Sequence, residues 1–425
     1  MNNRVVITGL GIVAPNGVGI NNFLDSIKKG KSGIVHIPEL ETNNFACQVG
    51  GIPNFKDEEY SELLSYYELT EADSSIKYAV IAGLEAWKDA KLQVPDLNDN
   101  SYNPAYGTII GTCYGGIEMF TRKIFPFVNS GKTKQLGSQS VEHWMPSGSS
   151  AALSKMLALG NISTSNSSAC STSTESIILA YERIKSGKAK IIIAGGTDPY
   201  SPYAWAGFDS MRLLARTSNK EPEKASRPMS GSASGFVPAA GAGILIIEDY
   251  EHALKRNVNI YAEIIGSAIN SGGQKNGGTM TFPNSDAVQR CIKSAIDSAN
   301  ITGKNIDLIC GHLTGTIADK SEINNWVDAL QLKQNRPYIN SLKSLTGHMI
   351  GAAGAAETIA AVLQLKNNFI HQNLNCDDLH PEIETAWDAK KIPQSYLENI
   401  KLNYIIKAGF GFGDVNSCLV IKKQS

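Results

Sequence analysis

Short runs of β-branched and apolar residues, several of them closing on glycine, recur between stretches of helical period, and they restrict the fold of this chain more than any other feature. The first half offers residues 4–9, 107–111, 162–169, 190–195 and 243–248; the second offers 261–269, 306–310, 338–341, 404–409 and 417–422. Hydrophobicity within each run is continuous rather than alternating. Strands of that kind are covered on both faces, as in α/β sheets. Helices fill the intervals. Ile76, Val80, Leu84 and Trp87 make one apolar stripe within 73–92, and Ile323, Trp326 and Leu330 make another within 320–332. Val288, Ile292 and Ile296 form a third stripe, with Ser285 placed to cap that helix.

Each half approaches its last strand through glycines, Gly241-Ala242-Gly243 in one and Gly411-Phe412-Gly413 in the other. With 425 residues, the chain exceeds the roughly 250–300 at which one core stops growing. The expectation is an α/β fold of two similar halves, residues 1–255 carrying a nucleophilic cysteine and 256–425 carrying two histidines, with no linker-like segment between them.

Charge and cysteine usage exclude several classes. Lys+Arg number 39 and Asp+Glu 40, a net charge of -1, so no global basic field attracts nucleic acid or an anionic membrane. Seven cysteines are scattered without a C-x-x-C pair, which indicates neither a disulfide framework nor a structural zinc site. No apolar run approaches the ~18 residues of a membrane span. Arg4 and the apolar residues after it resemble a signal peptide only superficially, because Gly9, Gly11 and Pro15 interrupt the stretch. A cytoplasmic location is expected.

Cys170 is the first chemical candidate. It lies in Asn166-Ser167-Ser168-Ala169-Cys170-Ser171-Thr172, between a strand of small residues and a helix whose face is Ile177, Ile178, Tyr181 and Ile184. A cysteine at a helix start feels aligned peptide dipoles that favour the thiolate, and its own N–H points where an oxyanion forms. An inert buried cysteine would share the apolar surroundings, but the small neighbours leave room for a substrate. His312 and His348 each follow a strand and turn, where α/β sheets place ligand-binding groups. As neutral imidazoles they would donate Nε–H groups to an enolate oxygen. Cys310, His312 and Asp319 lack the spacing of a metal site, and none is expected. Lys343 and Glu322 are expected to form a buried ion pair that holds the histidines. Glycines and phenylalanines alternate in Gly409-Phe410-Gly411-Phe412-Gly413-Asp414, a pattern suited to closing an apolar tunnel. Gly9-Leu10-Gly11-Ile12-Val13-Ala14 fits a dinucleotide fingerprint, but Pro15 and Gly17 break the helix that should follow, so NAD binding is rejected.

Together these motifs resemble the β-ketoacyl–acyl carrier protein synthases, the elongating condensing enzymes of fatty acid and polyketide synthesis. The most specific pieces are the Cys170 turn, His312-Leu313-Thr314-Gly315-Thr316, and Lys343-Ser344-Leu345-Thr346-Gly347-His348 with the small-residue run up to Glu357. The resemblance implies a thiolase-like fold, two related halves layered α-β-α-β-α. It implies an acyltransferase that condenses acyl and malonyl groups borne on acyl carrier protein, needs no metal or dissociable cofactor, and forms a homodimer or a heterodimer with a chain-length-factor-like subunit. Carried over by motif, Cys170 takes the acyl group, and His312 and His348 promote decarboxylation. The N–H groups of Cys170 and Phe412 form the oxyanion hole, while Phe412, Phe410 and Phe208 gate the acyl pocket. Thr314 and Thr316 bind the phosphopantetheine arm, Tyr114 lines the acyl pocket, and Lys343, Glu322 and Glu357 support the histidines. This sequence departs from the family at Leu313, Ala240, Asp414 and Tyr114, in the spacing from Thr316 to Asp319, and in lacking basic residues over 66–73. Those departures suggest a specialised synthase for an unusual or aromatic-headed polyene chain. A non-condensing chain-length-factor subunit is the competing reading; retention of Cys170, His312 and His348 speaks against it.

Overall fold

Strands that read as covered on both faces assemble into one continuous sheet. The structure, a computed structural model, describes residues 3–96 and 98–424. Its main strands are β1 (Val5–Ala14), β2 (Tyr106–Gly111), β3 (Ser163–Thr164), β4 (Ile191–Asp198), β5 (Gly241–Asp249), β6 (Ala262–Ser271), β7 (Leu308–Cys310), β8 (Tyr338–Asn340), β9 (Tyr404–Gly411) and β10 (Val415–Lys423). They lie in the order β8-β7-β9-β10-β6-β1-β5-β4-β2-β3, and a short strand at Gly17–Val18 folds back on β1.

Followed outward from the β6/β1 seam, the two sides take the same path. Each places its first strand, then its fifth, fourth, second and third. The pairings also run antiparallel, antiparallel, parallel and parallel on both sides. At the seam, only Val5, Val6 and Ile7 pair with Ile264, Glu263 and Ala262.

The helices that matter are α1 (Ser74–Asp89), α2 (Gly148–Leu157), α3 (Thr172–Lys185), α4 (Pro202–Ser210), α5 (Ser285–Ser298), α6 (Ala318–Leu330), α7 (Lys343–Thr346) and α8 (Ala353–Asn367). α3 and α8 form the middle layer, each touching strands of both sides. α1 and α2 cover the outer face of the first side, and α5, backed by α6, covers that of the second. The result is the α-β-α-β-α layering of a thiolase-like fold. α8 is buried from Ala353 through Leu365, so it needs small residues rather than an amphipathic stripe. A Cβ on Gly354 would sit 2.2 Å from Thr174 Oγ1 of α3.

β1 passes straight through Gly9 and Gly11, whose missing side chains let α1 approach: added Cβ atoms would lie 2.1 Å from Ala86 O and 1.9 Å from Ala82 O. The glycine pair is a helix–strand contact rather than a phosphate cradle. Two local expectations change. The strand over 162–169 is regular only at Ser163–Thr164, because Asn166 Nδ2 turns to Thr172 O (2.9 Å) and Ser168 to Glu175, replacing ladder bonds. The cap of α5 is Asn284, which accepts from Ala287 N at 3.2 Å; Ser285 is the first helical residue. No described helix is long and apolar enough to cross a membrane.

Candidate active site

Cys170 is set by a turn in which the backbone leaves its easy range. Ala169 has φ 47, and Ser171 N and Thr172 N close the turn on Ser168 O and Ala169 O. A left-handed alanine costs about 1–2 kcal/mol, a strain held in place by the start of α3. Thr172 Oγ1 completes the turn, accepting from Ser168 N and donating to Ala169 O, both at 2.7 Å. The N–H groups of Phe412 and Cys170 are directed at the sulfur. Burial nevertheless pushes the Cys170 thiol up to about 11, against the opposing pull of the Lys343 charge and those two N–H groups. The expectation of a sulfur made acidic by its helix is therefore corrected: in the closed apolar cavity, desolvation outweighs the favourable dipoles.

Buried charge holds His312, and backbone contacts hold His348. Glu322 accepts from His312 N and Leu313 N, each at 2.7 Å, and from Trp326 Nε1 at 3.2 Å. Lys343 Nζ donates to His312 O at 2.6 Å and lies 3.5 Å from His312 Nδ1. The carboxylate partner of Lys343 is Glu357, not Glu322 as the sequence suggested. The physical reason is placement: Glu322 spends both oxygens on the backbone N–H groups of the His312 turn, whereas Glu357 projects from α8 beneath α7. His348 N donates to Val237 O at 2.7 Å, and its Nδ1 accepts from Ile350 N at 3.1 Å. Ile350 has φ 48, an outlying value for a β-branched residue and a second strained turn at the site.

These contacts assign the tautomers: an accepting Nδ1 leaves the proton on Nε2 of each ring. His348 Nε2 is buried and has no partner among the described residues. The two rings stand edge-to-face, centroids 5.5 Å apart and 80° between planes. Desolvation, reinforced by the Lys343 cation, keeps both imidazoles neutral by holding them well below the ordinary histidine value. One sulfur and one ring nitrogen from each histidine lie within 4.8 Å of one another.

All three face a cavity of about 300 Å³ that is largely apolar. Phe412 stacks edge-on against Phe208 at 6.2 Å, and Phe410 stands 6.2 Å from the His312 ring. Tyr114 forms part of the wall, its hydroxyl accepting from Trp205 Nε1 at 3.2 Å. Thr314 and Thr316 line another part, 3.0 Å apart through their hydroxyls. Asp319 fixes that loop by accepting from Thr314 N, Gly315 N and Met229 N. Lys343 and Glu357 stand behind the wall. Of the twelve side chains given roles from the sequence, ten line the cavity, and Lys343 and Glu357 pair behind His312.

Residues 2–253 match the β-ketoacyl synthase N-terminal domain, and residues 261–377 match the β-ketoacyl synthase C-terminal domain. The chain belongs to the β-ketoacyl synthase family. It is 36% identical over 422 residues to 3-oxoacyl-[acyl-carrier-protein] synthase 1 of Buchnera aphidicola, covering 99% of each chain. It is 32% identical over 425 residues to 3-oxoacyl-[acyl-carrier-protein] synthase 2 of Vibrio harveyi, covering 99% and 98%. A β-ketoacyl synthase from Burkholderia phymatum shares its structure with a TM-score of 0.88 at 27% identity. A type II polyketide ketosynthase bound to hexaketide, in complex with its acyl-carrier protein, does so at 0.87 and 28%. Both superpositions cover 100% of each chain.

The synthase also uses residues that the sequence did not single out. Asp198, wholly buried at the end of β4, accepts from Thr112 Oγ1, Cys113 N, Tyr114 N and Gly351 N, tying the acyl wall to the turn after His348. Phe236 packs on His348 at 5.5 Å. Asp414, noted in the sequence only as a departure, is 1% exposed at φ 62. Its carboxylate accepts from Gln274 N (3.0 Å) and Asn284 N (2.9 Å), on either side of the Thr281–Pro283 segment that lines the cavity. A signal for Asp414 was available: an acid standing where the glycine pattern asks for a left-handed residue.

Proposed function

We propose that this synthase condenses an acyl group with a malonyl unit, both borne on acyl carrier protein, with loss of carbon dioxide. The Cys170 sulfur attacks the acyl thioester; the new S–acyl bond forms as the pantetheine thiol leaves with the proton. Malonyl thioester then loses its carboxylate as carbon dioxide, and the electron pair left behind becomes an enolate. The Nε2–H groups of His312 and His348 donate to its oxygen. The enolate carbon attacks the acyl-Cys170 carbonyl, the oxyanion rests on the N–H groups of Cys170 and Phe412, and the sulfur leaves. Thr314 and Thr316 bind the pantetheine arm, while Phe412, Phe410 and Phe208 gate the acyl pocket.

One observation carries this reading: a sulfur and two neutral imidazoles, one with its Nε2 unpaired, converge within 4.8 Å on an apolar cavity. The scheme needs neither metal nor dissociable cofactor, since the imidazoles supply the donors. The division at 255/256 assigns the nucleophile to one half and both histidines to the other, which the repeated strand path supports. The carrier protein is the expected partner, with a second copy or a chain-length-factor-like subunit completing a dimer. All seven cysteines are free, which suits the reducing cytoplasm. Tyr114, clamped by Trp205, narrows the wall and supports a specialised chain rather than ordinary saturated fatty acyl groups.

Mass spectrometry of Cys170 after incubation with defined acyl-carrier proteins tests the reading. Acylation at Cys170 is expected, with polyene or aryl starters ahead of saturated ones. Absence of any acyl adduct would sink the enzyme assignment, and a preference for saturated chains would sink the specialised one.

A further inference from the structure

Lys407 sits at the midpoint of β9, in the otherwise apolar run Tyr404-Ile405-Ile406-Lys407-Ala408, and its side chain is 0% exposed. A buried ammonium is tolerated only when paired. Its partners are Thr174 Oγ1 of α3 at 2.6 Å and Glu357 Oε2 of α8 at 3.2 Å. Lys343 already holds the other oxygen of Glu357. Two buried lysines therefore share one carboxylate, on the side of the wall opposite the cavity.

Among the described residues, no other carboxylate pairs with either lysine. Cys310 on β7 and Cys418 on β10 flank Lys407 as neutral thiols, the first pushed up to about 12 and the second well above its usual value by burial. Cys291 lies behind Cys418 on α5. Glu322, raised to about 7, and Asp319, also raised, face the site from α6, each occupied with backbone N–H groups. Burial lowers Lys407 itself, and Glu357 counteracts that.

We propose that Lys407 is a positioning residue for the condensation: by sharing Glu357 with Lys343, it leaves an unmatched positive charge behind His312 and His348. That charge opposes protonation of the imidazoles and favours an anion in the cavity in front of them. Its catalytic consequence rests on the reading of the histidines as donors to an enolate; the charge itself does not. Glu357 thus bridges two cations rather than pairing with one. His312 and His348 both feel Lys407 at a distance, in addition to Lys343.

The test is histidine titration by NMR on the full-length protein without substrate, with His312→Gln and His348→Gln assigning the two signals. Lys407→Met should raise both midpoints by about one pH unit, the size of one unshared charge at this range. Lys407→Arg should leave them near the wild-type positions. Lys407→Gln, which keeps a polar donor on the side chain, is the second charge-removing variant and should behave as Lys407→Met does. Nitrogen NMR of the wild-type lysine side chains adds a check that needs no variant: Lys407 must read as an ammonium at pH 7. A neutral amine there overturns the proposal, as do midpoints that stay put in Lys407→Met and Lys407→Gln while moving in Lys343→Met. Decarboxylation of malonyl-carrier protein, measured in a Cys170→Gln background, separates the two levels. Midpoints that move without slowing decarboxylation would remove the catalytic role and the enolate reading with it, and leave the charge assignment standing; slowing by about tenfold is expected.

Discussion

In the first half of the synthase, Cys170 is placed by backbone: a left-handed alanine, a threonine that closes the turn and the opening of α3. In the second half, His312 is placed by buried charge, with Glu322 on its backbone turn and Lys343, Glu357 and Lys407 behind it, while His348 is held by Val237 O, Ile350 N and the left-handed turn at Ile350. The strand path is the same on both sides, so topology does not account for the difference. Chemistry does. A nucleophile must approach and leave carbonyl carbon, and a rigid turn suffices to aim one sulfur. Two imidazoles that must stay neutral and keep Nε2–H forward need fixed tautomers, which only polar partners behind the rings supply.

The largest effect should come from removing the nucleophile. Cys170→Ala is expected to lower condensation by more than about 10³-fold, while Cys170→Gln keeps malonyl decarboxylation running. Carbon dioxide release and product formation, followed separately, show whether the two halves divide the work. If Cys170→Gln also stops decarboxylation, the division is wrong. Next comes Lys343→Met, which takes the ammonium from His312 O and leaves Glu357 to Lys407 alone. It should cost about 3 kcal/mol by chemical denaturation and slow decarboxylation about 10²-fold; a stable, active variant would mean that charge does not place His312. Iodoacetamide labelling should show the buried thiol directly. The rate at Cys170 is expected to climb about tenfold per pH unit between pH 7 and 9, since the thiolate is a small fraction below a midpoint near 11. A plateau in that range would reveal an acidic sulfur after all. The smallest effect belongs to Ala169→Gly, where relief of the left-handed strain should leave stability within about 1 kcal/mol of wild type or slightly above it. A clear loss in thermal unfolding would show that the turn is not strained.

Periodicity made the strands and the amphipathic helices readable, and short motifs the site's three reacting side chains, because each is a local pattern. What stayed hidden depends on which buried groups meet across the fold. Lys343 reads as a partner for Glu322 when only sequence is in view, and Glu357 wins through its place on α8. The acidity expected at Cys170 follows from a helix start, yet the closed apolar cavity reverses it. Asp198 and Lys407 each sit on a strand that reads as plain core, and only the three-dimensional neighbours give them a purpose. Lys407 was the more detectable of the two, as a charge inside a run that admits none.

Asp414 stitches the Phe412 turn to the loop that carries Thr281, Phe282 and Pro283 on the far side of the entrance. Glycines at 272 and 278 are what let the carboxylate fit between them: a Cβ at either would come 2.1 or 2.5 Å from it. Both jambs of the doorway are consequently one piece of joinery. Backbone joins the same two pieces, Gly413 N on Met280 O at 2.8 Å and Gly272 N on Asp414 O at 2.9 Å, so the Phe412 turn and the facing loop are held as one unit.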